Sequence, residues 1–218
     1  MIKRLFTLTI MIFILLVSST LSFASSHHYY TSQKFSNGKT AKYVLLNLNA
    51  TDISPAMGLA NNKILAADSL QNIVNTRAIE GKKAFAAVNG TYFSAYNGVP
   101  VPYGTIIDKG KLLHIGNYGA VLGITKDKKI VIDNLKIEIT GSIDGVENQY
   151  YTWGINHPRT EPDAIMIFTP DFAGSTQMPD AQNVIVRNGK VAQKNSGNTA
   201  IPNDGFVISF NPSMHYLM

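Results

Sequence analysis

The sequence predicts an α+β fold: short, mostly antiparallel strands and hairpins with one clear helix. Three observations predict it. Short apolar runs recur along the chain, each bounded by Gly, Pro, Asn or Asp. Two pairs of these runs flank tight-turn dipeptides, Lys109-Gly110 and Asn188-Gly189. One stretch, Asp68 to Glu80, instead repeats its apolar residues at three- and four-residue spacing.

The elements follow in chain order. Residues 1–24 read as a secretory signal. Lys3 and Arg4 precede an uncharged apolar run from Leu5 to Val17. Small residues follow, and Ser22-Phe23-Ala24 has the small-x-small form that a signal peptidase cuts after. A retained membrane anchor is the alternative, but the run is short against the roughly 20 residues a span needs. Residues 25–42 are a polar, aromatic leading segment with His27, His28, Tyr29 and Tyr30. Residues 43–218 form the domain, with no linker that would divide it. Tyr43 to Asn49 alternates as a strand does. Asp52 to Asn62, with Pro55 and Gly58, is a loop.

Asp68 is the expected N-cap of the helix, Leu70, Ile73, Val74 and Ala78 its apolar stripe, and Gly81 its stop. Ala84 to Val88 reads as a buried strand. The two hairpins run from Thr105 to Leu113 and from Val184 to Val191. Further strands are expected at Ala120–Thr125, Lys129–Ile132, Leu135–Thr140, Ala164–Phe168 and Phe206–Phe210.

Composition excludes several functions. Of 19 lysines and arginines two lie in the signal, which leaves 17 against 14 acids and a net charge of only +3. With no basic run, nucleic acid is not an expected partner. The chain has 0 cysteines, so thiol catalysis, disulfides and cysteine-held metals are excluded. There is no G-x-S-x-G elbow, no H-E-x-x-H and no P-loop. The 5 histidines are scattered, which gives a metal centre no support in the sequence.

Three segments concentrate reactive residue types. In the first, the expected strand Ala84–Val88 runs into Asn89-Gly90-Thr91-Tyr92-Phe93, and Tyr96 to Gly104 follows. A strand end would fix Asn89, and Gly90 would let a ligand approach the backbone. Tyr92, Phe93, Tyr96 and Tyr103 offer flat faces and hydroxyls suited to a sugar ring. The alternative is a tight turn with core aromatics. The second, Trp153 to Asp163, holds His157, a candidate for proton transfer, and Arg159, a candidate phosphate clamp. Here the alternative is an ordinary loop with Arg159 paired to Glu161 or Asp163. The third, Thr169 to Thr176, places Asp171 after an apolar strand, either as a functional acid or as a turn cap.

At these residues the chain resembles the phosphodiester glycosidase family. Ala87-Val88-Asn89-Gly90-Thr91-Tyr92-Phe93, Pro102-Tyr103-Gly104-Thr105-Ile106-Ile107 and Lys109-Gly110-Lys111 carry the likeness. Asn156-His157-Pro158-Arg159-Thr160, Ile165–Thr169, Val186–Val191 and Ile201–Phe206 continue it, so that it covers Tyr43 to Phe210. The family includes the lysosomal enzyme that uncovers mannose 6-phosphate, and exported bacterial members linked to exopolysaccharide.

The resemblance implies a secreted or cell-surface hydrolase of sugar-1-phosphodiester linkages in surface glycan. Asn89, Gly90, Tyr92, Phe93, Gly104 and Arg159 would bind substrate, and His157 or Asp171 would transfer protons. It names no cofactor. Family members carry a further arginine-threonine motif and an aspartate-glycine-serine motif that do not occur before Met218. The chain therefore reads as the amino-terminal part of the domain, either a truncated gene product or half of a split protein in which a second chain carries the rest. The competing reading is a non-catalytic exported glycan-binding protein.

Overall fold

The computed structural model describes residues 28–76, 83–94, 98–139 and 153–217. The expected signal, the end of the expected helix and Tyr96 lie outside the described residues. The chain divides into two compact units, one ending at Ser54 and one running from Pro55.

In the first unit, β1 (His28–Lys34) pairs antiparallel with β2 (Thr40–Leu46), from His28 opposite Leu46 to Lys34 opposite Thr40. The leading segment thus supplies a strand that its polar composition did not suggest. Strand β2 begins at Thr40 rather than Tyr43. Its alternation does not separate an inner from an outer face, since every residue but Ala41 is exposed.

The second unit is built on one mixed sheet of five strands: β7 (Trp153–Ile155), β8 (Ile165–Phe168), β9 (Gln182–Arg187), β10 (Lys190–Ser196) and β11 (Gly205–Phe210). Their order is β10-β9-β11-β8-β7. All neighbours are antiparallel except β7 and β8, which run parallel. The sheet is apolar on both sides, which is why β8 and β11 read as near-continuous apolar runs. Met166, Phe168 and Val207 pack with Ile64, Ile106, Leu113, Phe172 and Ile201, while Ile165, Val184, Val186 and Phe210 pack with Met214.

Two further two-stranded ribbons complete the unit: β3 (Ile106–Asp108) with β4 (Lys111–His114), and β5 (Ala120–Ile124) with β6 (Ile130–Asn134). Both expected glycine hairpins form. Lys109 and Gly110 take φ of 51° and 79°, and Asn188 and Gly189 take 48° and 73°, the left-handed pair that two-residue hairpins require.

The fold class differs from the expectation. The protein is mostly β, with 37% strand against 8% helix, rather than α+β. The reason is the expected helix: among the described residues α1 spans Leu70–Thr76 and buries none of them, so no helical layer covers the sheet there. Its N-cap is Ser69, whose Oγ accepts from the Asn72 amide at 3.2 Å, while Asp68 binds the Asn72 side chain at 2.7 Å. Ala84 to Val88 is not a buried strand either. It runs exposed and without regular structure, with Val88 84% accessible. Residues 135–138 carry no strand.

One residue locks the second unit together. Asn156, directly after β7, is fully buried with a left-handed φ of 51°. Its Nδ2 donates to Leu113 O at 2.6 Å and to Thr169 Oγ1 at 2.8 Å, and its Oδ1 accepts from the Thr169 amide at 2.8 Å. Its own amide donates to Ile167 O at 2.9 Å. Asn is among the few side chains that tolerate this backbone conformation.

Asn156→Ala removes all three side-chain bonds, strands the buried Leu113 carbonyl and the half-buried Thr169 amide, and adds left-handed strain. A loss of about 3 kcal/mol is expected. Urea denaturation checks it, and a change below about 1 kcal/mol would show that the carboxamide is not the lock.

Candidate functional site

The site grows from a short antiparallel contact between residues 91–94 and 101–104. Tyr103 N donates to Tyr92 O at 2.9 Å, Ser94 N donates to Val101 O at 2.9 Å, and Phe93 bridges Pro102. The Thr91 hydroxyl accepts from the Gly104 amide at 2.9 Å. A side chain at position 104 would begin 2.8 Å from that hydroxyl oxygen, so the approach requires glycine. The Gly104 carbonyl in turn meets Nδ1 of His114 at 2.9 Å. The ring of His114 lies 5.2 Å from that of His157, tilted by 35°. A continuous chain of contacts therefore joins Thr91, Gly104, His114 and His157.

A β-bulge puts His114 there. Ile106 faces His114 while the next residue, Ile107, faces Leu112, so Leu113 is the extra residue on β4. Leu113 and His114 are consequently buried side by side, 7% and 0% accessible, where simple alternation would turn one of them outward. Burial is the largest influence on the His114 imidazole and lowers its pKa from 6.5 to about 4. The Gly104 carbonyl opposes this, and His157 adds to it. The Gly104 carbonyl can only accept, so Nδ1 carries the proton of the neutral ring. Nε2 is then a buried lone pair with no hydrogen-bond partner among the described residues. Such an unpaired atom costs about 1–3 kcal/mol.

Beyond His157 the loop runs through Pro158 to Arg159. Nδ1 of His157 donates to the Pro158 carbonyl at 2.7 Å. The Arg159 side chain is 8% accessible, and its partner is neither Glu161 nor Asp163. Nη2 reaches the exposed Asp180 at 3.4 Å. Nη1 is buried with no partner among the described residues.

Asp171 sits across from this loop in the turn after β8. It forms an ion pair with Lys111 at 2.6 Å and accepts from the Thr169 hydroxyl at 3.1 Å. The same turn is held by Lys63, which donates to Pro170 O, and by the Ile64 amide, which donates to Asp171 O at 2.8 Å. Asp171 is thus a structural ion-pair member tying β4 to the turn.

The residues singled out from the sequence divide into three groups. Gly104 and His157 come together through His114, and Arg159 lies two positions along the same loop. Asn89 and Gly90 lie exposed just before Thr91, on the segment expected to be a rigid strand end. Tyr92, Phe93 and Tyr103 are 82%, 47% and 44% accessible, which replaces the core-aromatic alternative by an exposed rim. Tyr118, not anticipated, extends that rim by meeting Tyr103 edge-on at 5.9 Å. His114 is the main omission. Its only signal in the sequence is its place at the end of the Lys109-Gly110 hairpin.

No family model matches the chain, and no curated protein matches it. A solved structure, the crystal structure of a hypothetical protein from Synechocystis, is similar to it with a TM-score of 0.63 at 17% identity. The match covers 84% of this chain and 35% of that one, so the chain spans about a third of the length of that protein. At this identity the likeness concerns the fold alone.

The buried His114 predicts a pH dependence of stability. Its pKa is about 4 when folded and 6.5 when not, so between these values the unfolded chain binds the extra proton. Stability therefore falls as pH drops from 6.5 toward 4, by about 3 kcal/mol in all, and is flat in this respect above 6.5. Urea midpoints across this range, compared between the wild type and His114→Asn, isolate the effect. Equal slopes in the two proteins would refute it.

Proposed function

We propose that the protein is an exported hydrolase acting on sugar-1-phosphodiester linkages of surface glycan or exopolysaccharide. The observation that carries this reading is Arg159. A buried guanidinium is costly unless its charge is matched. Here one nitrogen has a long, exposed carboxylate partner and another has none among the described residues. A phosphodiester oxygen offers the charge and the acceptor that Nη1 lacks, and a planar guanidinium suits it bidentately. His157, two residues away and half-buried, is the proton-transfer group of this proposal. Asp171 is the weaker choice, because Lys111 and Thr169 already hold its carboxylate. Export rests on the signal-like composition of residues 1–24.

A second reading, glycan binding without turnover, is favoured by the exposed Tyr92, Tyr103 and Tyr118. Tyrosines of this kind stack on sugar faces.

The two readings part in one assay on purified protein. The hydrolase reading expects sugar release from a sugar-1-phosphodiester and a loss of about 100-fold in kcat/KM for Arg159→Ala. Saturable glycan binding without product would favour the binding reading. Unchanged turnover in Arg159→Ala would overturn the phosphate role of Arg159.

A further inference from the structure

The two histidines that meet, His114 and His157, share a feature that neither the fold nor the proposed hydrolysis requires. A backbone carbonyl can only accept a hydrogen bond. The Nδ1 of His114, 2.9 Å from Gly104 O, and the Nδ1 of His157, 2.7 Å from Pro158 O, therefore both carry the ring proton. In each neutral ring the lone pair is then on Nε2. This is how metal-binding imidazoles are usually held: the outer nitrogen donates to a carbonyl or carboxylate, which sets the tautomer and orients the ring.

Three further observations point the same way. The His114 side chain is fully buried, and its Nε2 has no donor among the described residues. The bulge in β4 and the close contact of Gly104 with Thr91 both serve to place that ring and its carbonyl partner. The ring of His157 is also its immediate neighbour, with the two ring centres 5.2 Å apart and the planes tilted by 35°.

We propose that His114 and His157 form a two-imidazole site for a borderline divalent cation of the zinc class, each contributing Nε2. Imidazole selects Zn²⁺, Ni²⁺ or Cu²⁺ over Mg²⁺ and Ca²⁺, which take oxygen ligands. Water or an oxygen of a bound ligand fills the remaining positions, and while the ion is bound the Nε2 of His157 is not available for the proton transfer proposed above.

The test titrates the full chain with Zn²⁺ alone by calorimetry, beside His114→Asn, His157→Asn and a His27→Asn, His28→Asn double variant. Asn keeps an amide N–H close to the position of Nδ1–H, so the carbonyl contact survives while the Nε2 lone pair is lost. The expected result is one ion per wild-type chain and binding weaker by roughly tenfold or more in each single variant. The double variant should bind as the wild type does. Zn²⁺ should raise the melting temperature of the wild type but not of the single variants, and the Cu²⁺ form should show imidazole nitrogen coupling in its electron paramagnetic resonance spectrum. Absence of saturable Zn²⁺ binding overturns the proposal, as does binding that survives both single substitutions or disappears in the double variant. If His114→Asn fails to fold, His157→Asn decides alone, because its ring is only half-buried.

Discussion

The second unit depends on the side-chain amide of Asn156. Its three hydrogen bonds join the end of β7 to β4 through Leu113 and to the turn after β8 through Thr169. A buried amide of this kind favours one arrangement, because any shift leaves a carbonyl or an amide unpaired in a low-dielectric interior. The left-handed backbone at the same residue turns the chain out of the sheet and starts the loop that carries His157 and Arg159. Leu113, pinned by the amide, is the bulged neighbour of His114. Thr169, pinned by the same amide, in turn holds Asp171. The candidate site thus owes its alignment to one carboxamide that takes no part in its chemistry.

The elements legible in the sequence were those decided locally or by burial on both sides. Lys109-Gly110 and Asn188-Gly189 are turns because of their own backbone preferences, and β8 and β11 are central strands in a sheet covered on both faces. Elements decided by distant partners were misread. Strand β7 has three residues and exists because β8 accepts it in parallel. Strand β1 is polar and exists because β2 pairs with it. Ala84 to Val88 has strand-like composition but is exposed, so its apolar side chains gain little from regular pairing. The helix has its stripe, yet Ile73 and Val74 are only half-buried and Leu70 is exposed, so it adds no buried layer to the β structure among the described residues.

The candidate site was legible in part for the same reason. His157 and Arg159 stand out as residue types in one segment. Asn156, beside them, looks in sequence like an ordinary loop residue, and only its contacts with Leu113 and Thr169 reveal what it does. Asp180, the acid that meets Arg159, lies on another loop, and no spacing rule connects the two. His114 was hidden by the bulge. Alternation along β4 allows Leu113 or His114 to face inward but not both, and a one-residue slip in pairing reverses that logic.

The unsatisfied atoms at this end of the unit have opposite character. Among the described residues, Arg159 Nη1 is a donor without an acceptor, and His114 Nε2 is an acceptor without a donor. Direct contact between them would satisfy both at once. The chain instead sends Arg159 toward Asp180 and places His114 against His157, with Pro158 between the two loop residues. Proline fixes its own φ and restricts the residue before it to extended conformations, so the loop cannot easily bring the guanidinium back to the imidazole. Buried polar atoms are nearly always paired, and keeping a complementary couple apart forgoes a stabilising bond. Each of the two proposals above gives one of these atoms a partner: an anion for the guanidinium, and an electron-pair acceptor for the imidazole.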